Sequence, residues 1–209
     1  MKINQELLVD FEKSNSRLLA VTKYWDINQI NDFMLNLGEK KADIIVGFGE
    51  NRISSIKEKN LDREFCHFIG NIQTKEIKYI TQFCSIIHSV DNVKQIKKFE
   101  DICSKQNNWV KIFLQINIDS SKPGGIDKKD IPMFLELIDE CENISLIGFS
   151  AIGKFNFTIE EKRSEFRLLK ELRSKYIPNG IISAGTSRDY KIALEEEIEI
   201  IRVGKSLVL

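Results

Sequence analysis

The chain has 209 residues and a mass of 24.2 kDa, and its 31 lysines and arginines balance 31 aspartates and glutamates. This length, with 42% hydrophobic residues, predicts one compact domain over residues 1–209. Because the formal net charge is +0, no general field attracts phosphate backbones or anionic lipid, and nucleic acid is a poor candidate partner. The apolar runs are far shorter than the roughly 20 residues of a spanning helix, so we expect no membrane insertion.

The first residues contain no apolar stretch typical of a secretion signal, and the four cysteines are scattered without a C-x-x-C pair. Thiols of this kind are typical of a reducing compartment. We therefore expect a reduced protein of the cytoplasm.

Two hydrophobic patterns alternate along the chain. An amphipathic segment at 4–13 comes first and predicts an N-terminal helix. Runs of β-branched and aliphatic residues then predict strands at 18–22, 44–47, 66–69, 86–90, 110–118, 146–151, 180–183 and 199–203. Between them, apolar residues three and four apart predict helices around 27–37, 77–83, 93–103, 134–138 and 166–172.

About eight strands, each but the last followed by a helix, indicate a (β/α)8 barrel of the TIM type. A doubly wound open sheet shows a similar alternation and stays open as an alternative. Because no helix is expected after the last strand, we expect the N-terminal helix to supply the missing cover. In such a barrel the chemistry occurs at the carboxyl ends of the strands, so the residues that follow each strand are the candidates for a site.

Lys23 follows the first predicted strand, and its ammonium is expected in the mouth of the barrel above apolar walls. Desolvation lowers the pKa of a lysine and makes the neutral amine available as a nucleophile toward an aldehyde. The plainer alternative is a lysine on the rim that pairs with a carboxylate.

The segment Ser183-Ala-Gly-Thr-Ser-Arg-Asp189 joins a predicted strand to an acidic helix that begins near Asp189. Gly185 permits a sharp turn, and the N–H groups and hydroxyls of Thr186 and Ser187 are expected to face outward, which suits a phosphate dianion. The alternative is a structural cap with Ser187 as the N-cap residue, and both can hold together.

Arg202 alternates with Ile201 and Val203 on the last predicted strand and so points opposite to them. Gly204 then opens a close backbone approach in a second phosphate-type loop. An inward arginine is costly unless it meets an acceptor, and a surface-facing arginine is the alternative.

The motif Gly47-Phe-Gly-Glu-Asn-Arg52 predicts a glycine-bracketed turn that leads into a helix, with Asn51 placed to cap the helix or to bond a ligand ring. His67 and His88 fall at opposite ends of different predicted strands. Together with the dispersed cysteines they show no metal-ligand spacing, so we interpret them as core or hydrogen-bonded histidines.

Seven motifs, taken in order, resemble the pyridoxal phosphate homeostasis proteins, which are single-domain barrels related to the N-terminal domain of alanine racemase. The resemblance covers the chain from about residue 18 to its end. The motifs are Ala20-Val-Thr-Lys23, Phe48-Gly-Glu-Asn-Arg52, His67-Phe-Ile-Gly70 with Gln73 following, His88-Ser-Val-Asp91, Gln115-Ile-Asn117, Ser183-Ala-Gly-Thr-Ser187 and Arg202-Val-Gly204.

This resemblance implies a fold-type III barrel that binds pyridoxal 5′-phosphate (PLP) as its cofactor. It implies that Lys23 forms the internal aldimine, a Schiff base with PLP. Ser187 and the backbone of Thr186 match phosphate ligands. Gly204 and its successor Lys205 complete the implied phosphate cradle.

Two further positions match residues around the cofactor ring. Asn51 matches a residue near the ring, and Arg202 matches an arginine that approaches the pyridine nitrogen. A cation at that nitrogen disfavours its protonation, which weakens the ring as an electron sink.

The chain departs from the family pattern at several points. Lys205 stands where the family usually has threonine or serine, and Glu197 replaces a typical glycine. The loop at 119–125 is expected to be about two residues short, and the chain closes without the usual Phe-Gly. These differences mark a divergent member.

The implied function is intracellular PLP homeostasis, in which the protein carries or buffers the cofactor with little or no turnover and no catalytic residue. Racemisation needs a proton donor and acceptor on opposite faces, and Lys23 serves only one face. In alanine racemase a tyrosine from a second domain serves the other face.

Two alternatives stay open. The first is a PLP-dependent amino-acid racemase or lyase, with His67, His88 or Tyr190 as candidate second proton donors. The second is a degenerate barrel that acts as an interaction module. The expected partners are PLP, amino acids and PLP-dependent apoenzymes that receive the cofactor, with neither nucleic acid nor a membrane among them.

Overall fold

The computed structural model describes residues 1–119, 124–154 and 156–209. Within these ranges eight parallel strands pair in chain order, and the last strand returns to pair with the first. This closure confirms the (β/α)8 barrel and excludes the open sheet. The strands are β1 (Arg17–Val21), β2 (Ile45–Glu50), β3 (Cys66–Phe68), β4 (Ile86–Val90), β5 (Val110–Gln115), β6 (Ile144–Ser150), β7 (Ile181–Ser183) and β8 (Ile200–Val203).

Helices alternate with the strands and pack against the sheet. None of those in the described ranges combines the length and the apolarity that crossing a bilayer requires. They are α1 (Gln5–Glu12), α2 (Ile27–Leu37), α3 (Glu39–Ala42), α4 (Ile53–Lys59), α5 (Ile77–Phe83), α6 (Val93–Gln106), α7 (Ile131–Asp139), α8 (Ile159–Tyr176) and α9 (Tyr190–Glu195). The single turn of α3 has too few residues to show a hydrophobic period, and the sequence did not predict it.

Helix α1 covers the barrel beside the short helix α9, as expected. The Asn4 side chain caps α1 by accepting a hydrogen bond from the Leu7 N–H. The buried ring of Phe11 stacks on Tyr190 of α9, with 6.4 Å between the ring centroids. Ile3 forms an antiparallel bridge with Val208, which ties the two ends of the chain together.

The core has two shells. Leu19, Phe113 and Ile200 form the inner shell, to which partly buried residues of the other strands add their side chains. A larger outer shell lies between the strands and the helices. The two shells follow from the period of two along each strand, which sends alternate side chains inward and outward.

The turn predicted at 47–52 is wrong in part, because β2 continues through Gly49 to Glu50. Gly49 pairs with Val21 on one side and with His67 on the other, so the ladder holds this segment extended. The chain leaves the strand only at Asn51 and then enters α4.

Glu197 has a backbone conformation that disfavours a side chain. Its φ angle is 57°, in the left-handed region, in the turn between α9 and β8. A Cβ atom is strained there, and glycine is not. The departure from the glycine of the resembled family therefore has a local backbone cost.

We predict that Glu197→Gly raises the free energy of unfolding by about 1 kcal/mol, because it removes the left-handed strain. The ion pair with Lys170 that it also removes is exposed and joins atoms 3.9 Å apart, so its loss matters little. Urea unfolding measures the change. Glu197→Ala is the matched control and should give no such gain, whereas an equal gain in both variants would assign the effect to charge.

Candidate functional site

Arg202 of β8 points into the barrel, as its alternation with Ile201 and Val203 predicts. It is 9% exposed. Its Nη1 donates to the carbonyl and the hydroxyl of Ser183, at 2.5 and 3.0 Å, and its Nη2 donates to the Ala151 carbonyl at 2.7 Å. These acceptors stand at the ends of β6 and β7, so the guanidinium lies directly below the barrel mouth. The surface-facing alternative is wrong.

The Arg202 charge has no carboxylate within ion-pairing distance among the described residues. Burial lowers its pKa to about 10, with the more distant Asp189 acting in the opposite direction. At neutral pH the group is still protonated. It is therefore a buried cation bonded to neutral acceptors, and it can receive an acceptor atom from a ligand.

The loops after β7 and β8 meet at Ser187. Its Oγ accepts hydrogen bonds from the N–H groups of Gly204 and Ser206, at 3.1 and 3.4 Å. The Ser206 hydroxyl donates back to the Ser187 carbonyl at 3.3 Å. Two backbone amides and two hydroxyls thus converge at one point of the mouth, where a phosphate oxygen can replace the Ser187 hydroxyl as the acceptor of the two N–H groups. We call Ser187, Gly204 and Ser206 the amide cradle.

The amide cradle lies against the end of β1. A Cβ atom at Gly204 would stand 3.1 Å from the Val21 carbonyl oxygen, so this position favours glycine. The adjacent Lys205 is exposed, and no described residue accepts a hydrogen bond from its ammonium.

Thr186 is bonded within its own loop. Its N–H and its hydroxyl both donate to Asp189 Oδ1, at 2.6 and 2.8 Å. The N-cap residue of α9 is Asp189, and the alternative that Ser187 caps this helix is wrong. The side chain of Asp189 thus satisfies the start of the loop and leaves Ser187 to the cradle.

Asp189 is itself held by Lys162 of α8, a residue that the sequence did not single out. The Lys162 ammonium lies 3.4 Å from Asp189 and 2.5 Å from Glu165, and all three side chains are buried. This cluster fixes the β7–α9 loop to helix α8. The spacing of Lys162 and Glu165 on one helix face is the only signal that the sequence carries for it.

Lys23 follows β1 as expected, but its side chain does not have the expected apolar walls. It is half-buried, and its Nζ lies 5.0 Å from the centroid of the Tyr24 ring. It lines a cavity between the start of α2 and one side of α4, with Arg52, Glu58 and Lys59. No described hydrogen bond joins it to Ser187 or Arg202.

The turn after β1 explains this placement. The strand ends at Val21, and the Trp25 N–H donates to the Thr22 carbonyl at 2.8 Å. Because of this turn, Lys23 no longer follows the strand alternation, which would have placed its side chain on the same face as Leu19. Its backbone nevertheless stays near the cradle, because β1 and β8 pair as neighbours.

A buried ion cluster holds the backbone beside Lys23. Glu50 accepts from the Thr22 hydroxyl at 2.6 Å and from the Lys59 ammonium at 2.5 Å, and Ser55 donates to its second oxygen at 3.0 Å. The Lys59 ammonium also donates to the Thr22 carbonyl at 2.7 Å. The ends of β1 and β2 and the helix α4 are thereby fixed to one another.

Asn51 carries an orphaned polar atom at the end of β2. Its Oδ1 is buried and has no hydrogen-bond partner among the described residues. The predicted capping role is not seen, because the residue before α4 is Arg52. A buried carbonyl oxygen without a donor is costly, so it favours a ligand at this point.

The two histidines, predicted to lie at opposite ends of different strands, are in hydrogen-bond contact. His67 Nδ1 and His88 Nε2 are 2.9 Å apart, and His88 Nδ1 lies 2.8 Å from the Ser183 hydroxyl. Burial lowers the pKa of His67 to about 4. Burial, His67 and Arg202 hold the pKa of His88 well below its ordinary value. The interpretation as hydrogen-bonded core histidines agrees with this geometry.

By their donor and acceptor chemistry, these residues suit a small ligand that carries a phosphate and a polar ring. The amide cradle suits the phosphate, and the orphaned Asn51 oxygen and the Arg202 cation suit polar atoms of the ring. In the described part of the chain no cluster of histidine, cysteine and carboxylate side chains could hold a metal ion.

The structure thus defines the class of protein: a closed (β/α)8 barrel with a phosphate-type cradle at the carboxyl ends of its parallel strands. The family is shown by its sequence: the chain belongs to the alanine racemase N-terminal domain family, whose model matches residues 6–209.

Curated relatives and solved structures are similar over most of the chain. A pyridoxal phosphate homeostasis protein from Aquifex aeolicus is 29% identical over 173 residues, which cover 77% of this chain and 75% of that protein. One from Buchnera aphidicola is 28% identical over 204 residues, covering 91% and 86%. The structure of PipY from Synechococcus elongatus with PLP bound has a TM-score of 0.83 and 22% identity, covers 98% of this chain and 99% of that one, and shows the same fold.

The buried histidines predict an acid-sensitive fold. Between pH 6.5 and about 4 the unfolded chain binds a proton on His67 that the native state excludes, so stability falls as the pH falls. His88, whose pKa is also held well below its ordinary value, acts in the same direction. We expect His67 to remove about 1 kcal/mol per pH unit in urea unfolding at pH 7, 6 and 5. His67→Phe should therefore reduce the dependence of the unfolding free energy on pH, and an unchanged dependence would contradict the assignment.

Proposed function

We propose that this protein binds pyridoxal 5′-phosphate at the carboxyl end of its barrel and serves the homeostasis of that cofactor in the cytoplasm. The observation that carries the proposal is the amide cradle beside the buried Arg202 cation. Membership of the family and the names of the curated relatives support it. The four cysteines, scattered without a C-x-x-C pair, are typical of a reducing compartment and support the proposed location.

When bound, pyridoxal 5′-phosphate supplies an aldehyde carbon that can react with a lysine amine and a ring that withdraws electrons. Lys23 is the proposed amine. Rotation of its four-carbon stem away from the Tyr24 ring carries the ammonium from the cavity of α2 and α4 toward the cradle. The ion cluster of Glu50 and Lys59 keeps the backbone of this turn fixed while the side chain moves.

The amide cradle is proposed to hold the phosphate, with donors from Ser187, Gly204 and Ser206. Lys205 is exposed beside it and adds positive charge. Thr186 keeps its bonds to Asp189 and shapes the loop, which revises the role expected from the resemblance.

Arg202 and Asn51 are proposed to face the ring. The Arg202 cation disfavours a proton on the ring nitrogen, and the Asn51 carbonyl oxygen accepts a hydrogen bond that it lacks among the protein's own described groups. A ring that stays unprotonated withdraws electrons weakly from an attached amino acid.

The surroundings of the three candidate proton donors support the proposal that turnover is slow. His67 and His88 are 1% and 2% exposed and bonded to each other below Arg202. The Tyr190 hydroxyl donates to Asp10 of α1 at 3.3 Å. Burial is the largest of the causes that raise the pKa of Tyr190. None of these groups offers a proton to the second face of a bound ring, which favours a carrier over a racemase or lyase.

The alternatives have distinct signatures. Steady conversion of an amino acid by the loaded protein would favour the racemase or lyase. A protein that neither binds nor releases PLP would favour the interaction module. Amino acids and apoenzymes that receive the cofactor complete the proposal as partners.

We predict that Lys23→Ala abolishes the near-visible absorbance that develops when PLP is added to the protein. Borohydride should fix the cofactor to the wild type, with a mass increase located on the peptide of Lys23. Lys57→Ala, which removes an exposed lysine of α4, is the matched control and should keep the band. An unchanged band in the Lys23 variant would reject this residue as the binding amine.

We predict that Ser187→Ala weakens PLP binding roughly tenfold to a hundredfold, because it removes hydrogen bonds to a charged phosphate. Fluorescence titration provides the dissociation constants. Pyridoxal, which lacks the phosphate, should bind the variant and the wild type alike. Equal weakening of both ligands would show that Ser187 acts on the fold rather than on the phosphate.

A further inference from the structure

A continuous chain of polar side chains crosses the interior of the barrel. It runs from His67 on β3 through His88 on β4 and Ser183 on β7 to Arg202 on β8, with heavy-atom distances of 2.9, 2.8 and 3.0 Å. Its members are between 0% and 9% exposed. The ring of His88 also stacks on Phe113, with 4.4 Å between centroids, which fixes the plane of the imidazole.

The direction of the hydrogen bonds is assigned starting from Arg202, which can only donate. Ser183 Oγ accepts from Arg202, and we assign the proton of this hydroxyl to the bond with His88 Nδ1. His88 therefore carries its proton on Nε2 and donates it to His67 Nδ1. His67 in turn carries a proton on Nε2, which has no hydrogen-bond partner among the described residues but lies toward the Val46 carbonyl.

The protein's own acceptors engage only some of the hydrogen-bond donors of Arg202. Two acceptors of Ser183 and the Ala151 carbonyl receive bonds from Nη1 and Nη2, and no described residue accepts a hydrogen bond from Nε. A carboxylate partner would cancel the charge of the guanidinium. The neutral histidines support the guanidinium through Ser183 without cancelling its charge. The guanidinium therefore keeps donor capacity at Nε that the described residues do not use.

We propose that His88, supported by His67, is a positioning residue that acts through Ser183 to fix Arg202 as the hydrogen-bond donor to an unprotonated ring nitrogen. This inference rests on the proposed function and adds to it a rule of specificity. The site favours an aromatic ring with a lone pair at the position facing Arg202, and it disfavours a ring with a C–H group there. Without His88, the Ser183 hydroxyl loses its acceptor and is free to rotate away from Arg202.

The test compares PLP with its 1-deaza analogue, in which a C–H group replaces the ring nitrogen. Wild type should bind PLP about tenfold more tightly than the analogue, as expected for one hydrogen bond to a charged group. In His88→Phe this ratio should fall to about one, with the affinity for the analogue unchanged. His88→Gln, whose side-chain oxygen can accept from Ser183, should restore the ratio.

A structural role alone would weaken both ligands equally in His88→Phe and leave the ratio at its wild-type value, which would overturn the inference. If His88→Phe does not fold, Ser183→Ala removes the same link and should likewise reduce the ratio to about one. If wild type binds PLP and the analogue equally well, the ring nitrogen is not read by Arg202 and the inference fails while the proposed function stands. If wild type binds neither ligand, the proposed function fails as well.

A second measurement needs no cofactor. The chain has only two histidines, so ¹⁵N NMR of histidine-labelled protein resolves both rings. At pH 7 both should be neutral with the proton on Nε2 and with His88 Nδ1 unprotonated. In Ser183→Ala the His88 Nδ1 signal should shift because its donor is lost. A proton on Nδ1 of His88 in wild type would contradict the direction assigned to the hydrogen bonds between Arg202 and His67.

Discussion

The pairing of β8 with β1 is the constraint on which the site depends. It closes the barrel and places Val203 beside Ala20, so that the loop after β8 meets the turn after β1. Because all strands are parallel, their carboxyl ends share one face, and residues more than 150 positions apart in sequence become neighbours there. The glycine at 204 allows this approach to within contact of the Val21 carbonyl.

Two buried ion clusters anchor the loops of this face to the helices outside. Lys162 and Glu165 hold Asp189, and through it the loop that carries Ser187. Lys59 and Glu50 hold the turn that carries Lys23. Buried ion pairs of this kind often add little to net stability, but removing one partner leaves a buried charge and is strongly destabilising. Their geometry therefore specifies where the loops lie more than it strengthens the fold.

The interior of the barrel combines an apolar inner shell with the polar chain from His67 to Arg202. A barrel core of this size is normally filled by branched aliphatic side chains. The histidine and arginine side chains are accommodated because nearly every polar atom has a partner, and the cost of the Arg202 charge is reduced by three acceptors.

The sequence by itself determined the order of the strands and of the helices other than α3, because this order follows from periods of two and 3.6 that each segment carries locally. It favoured the barrel and predicted that Arg202 points opposite to Ile201 and Val203, but it left an open sheet and a surface-facing Arg202 as alternatives. Its motifs also indicated the family. Only the tertiary structure decided that His67 and His88 meet, that Thr186 is bonded to Asp189, and that Lys23 leaves the face of Leu19. These contacts join different strands and turns, and their geometry depends on barrel closure, local bulges and the end of each strand, none of which a single segment encodes.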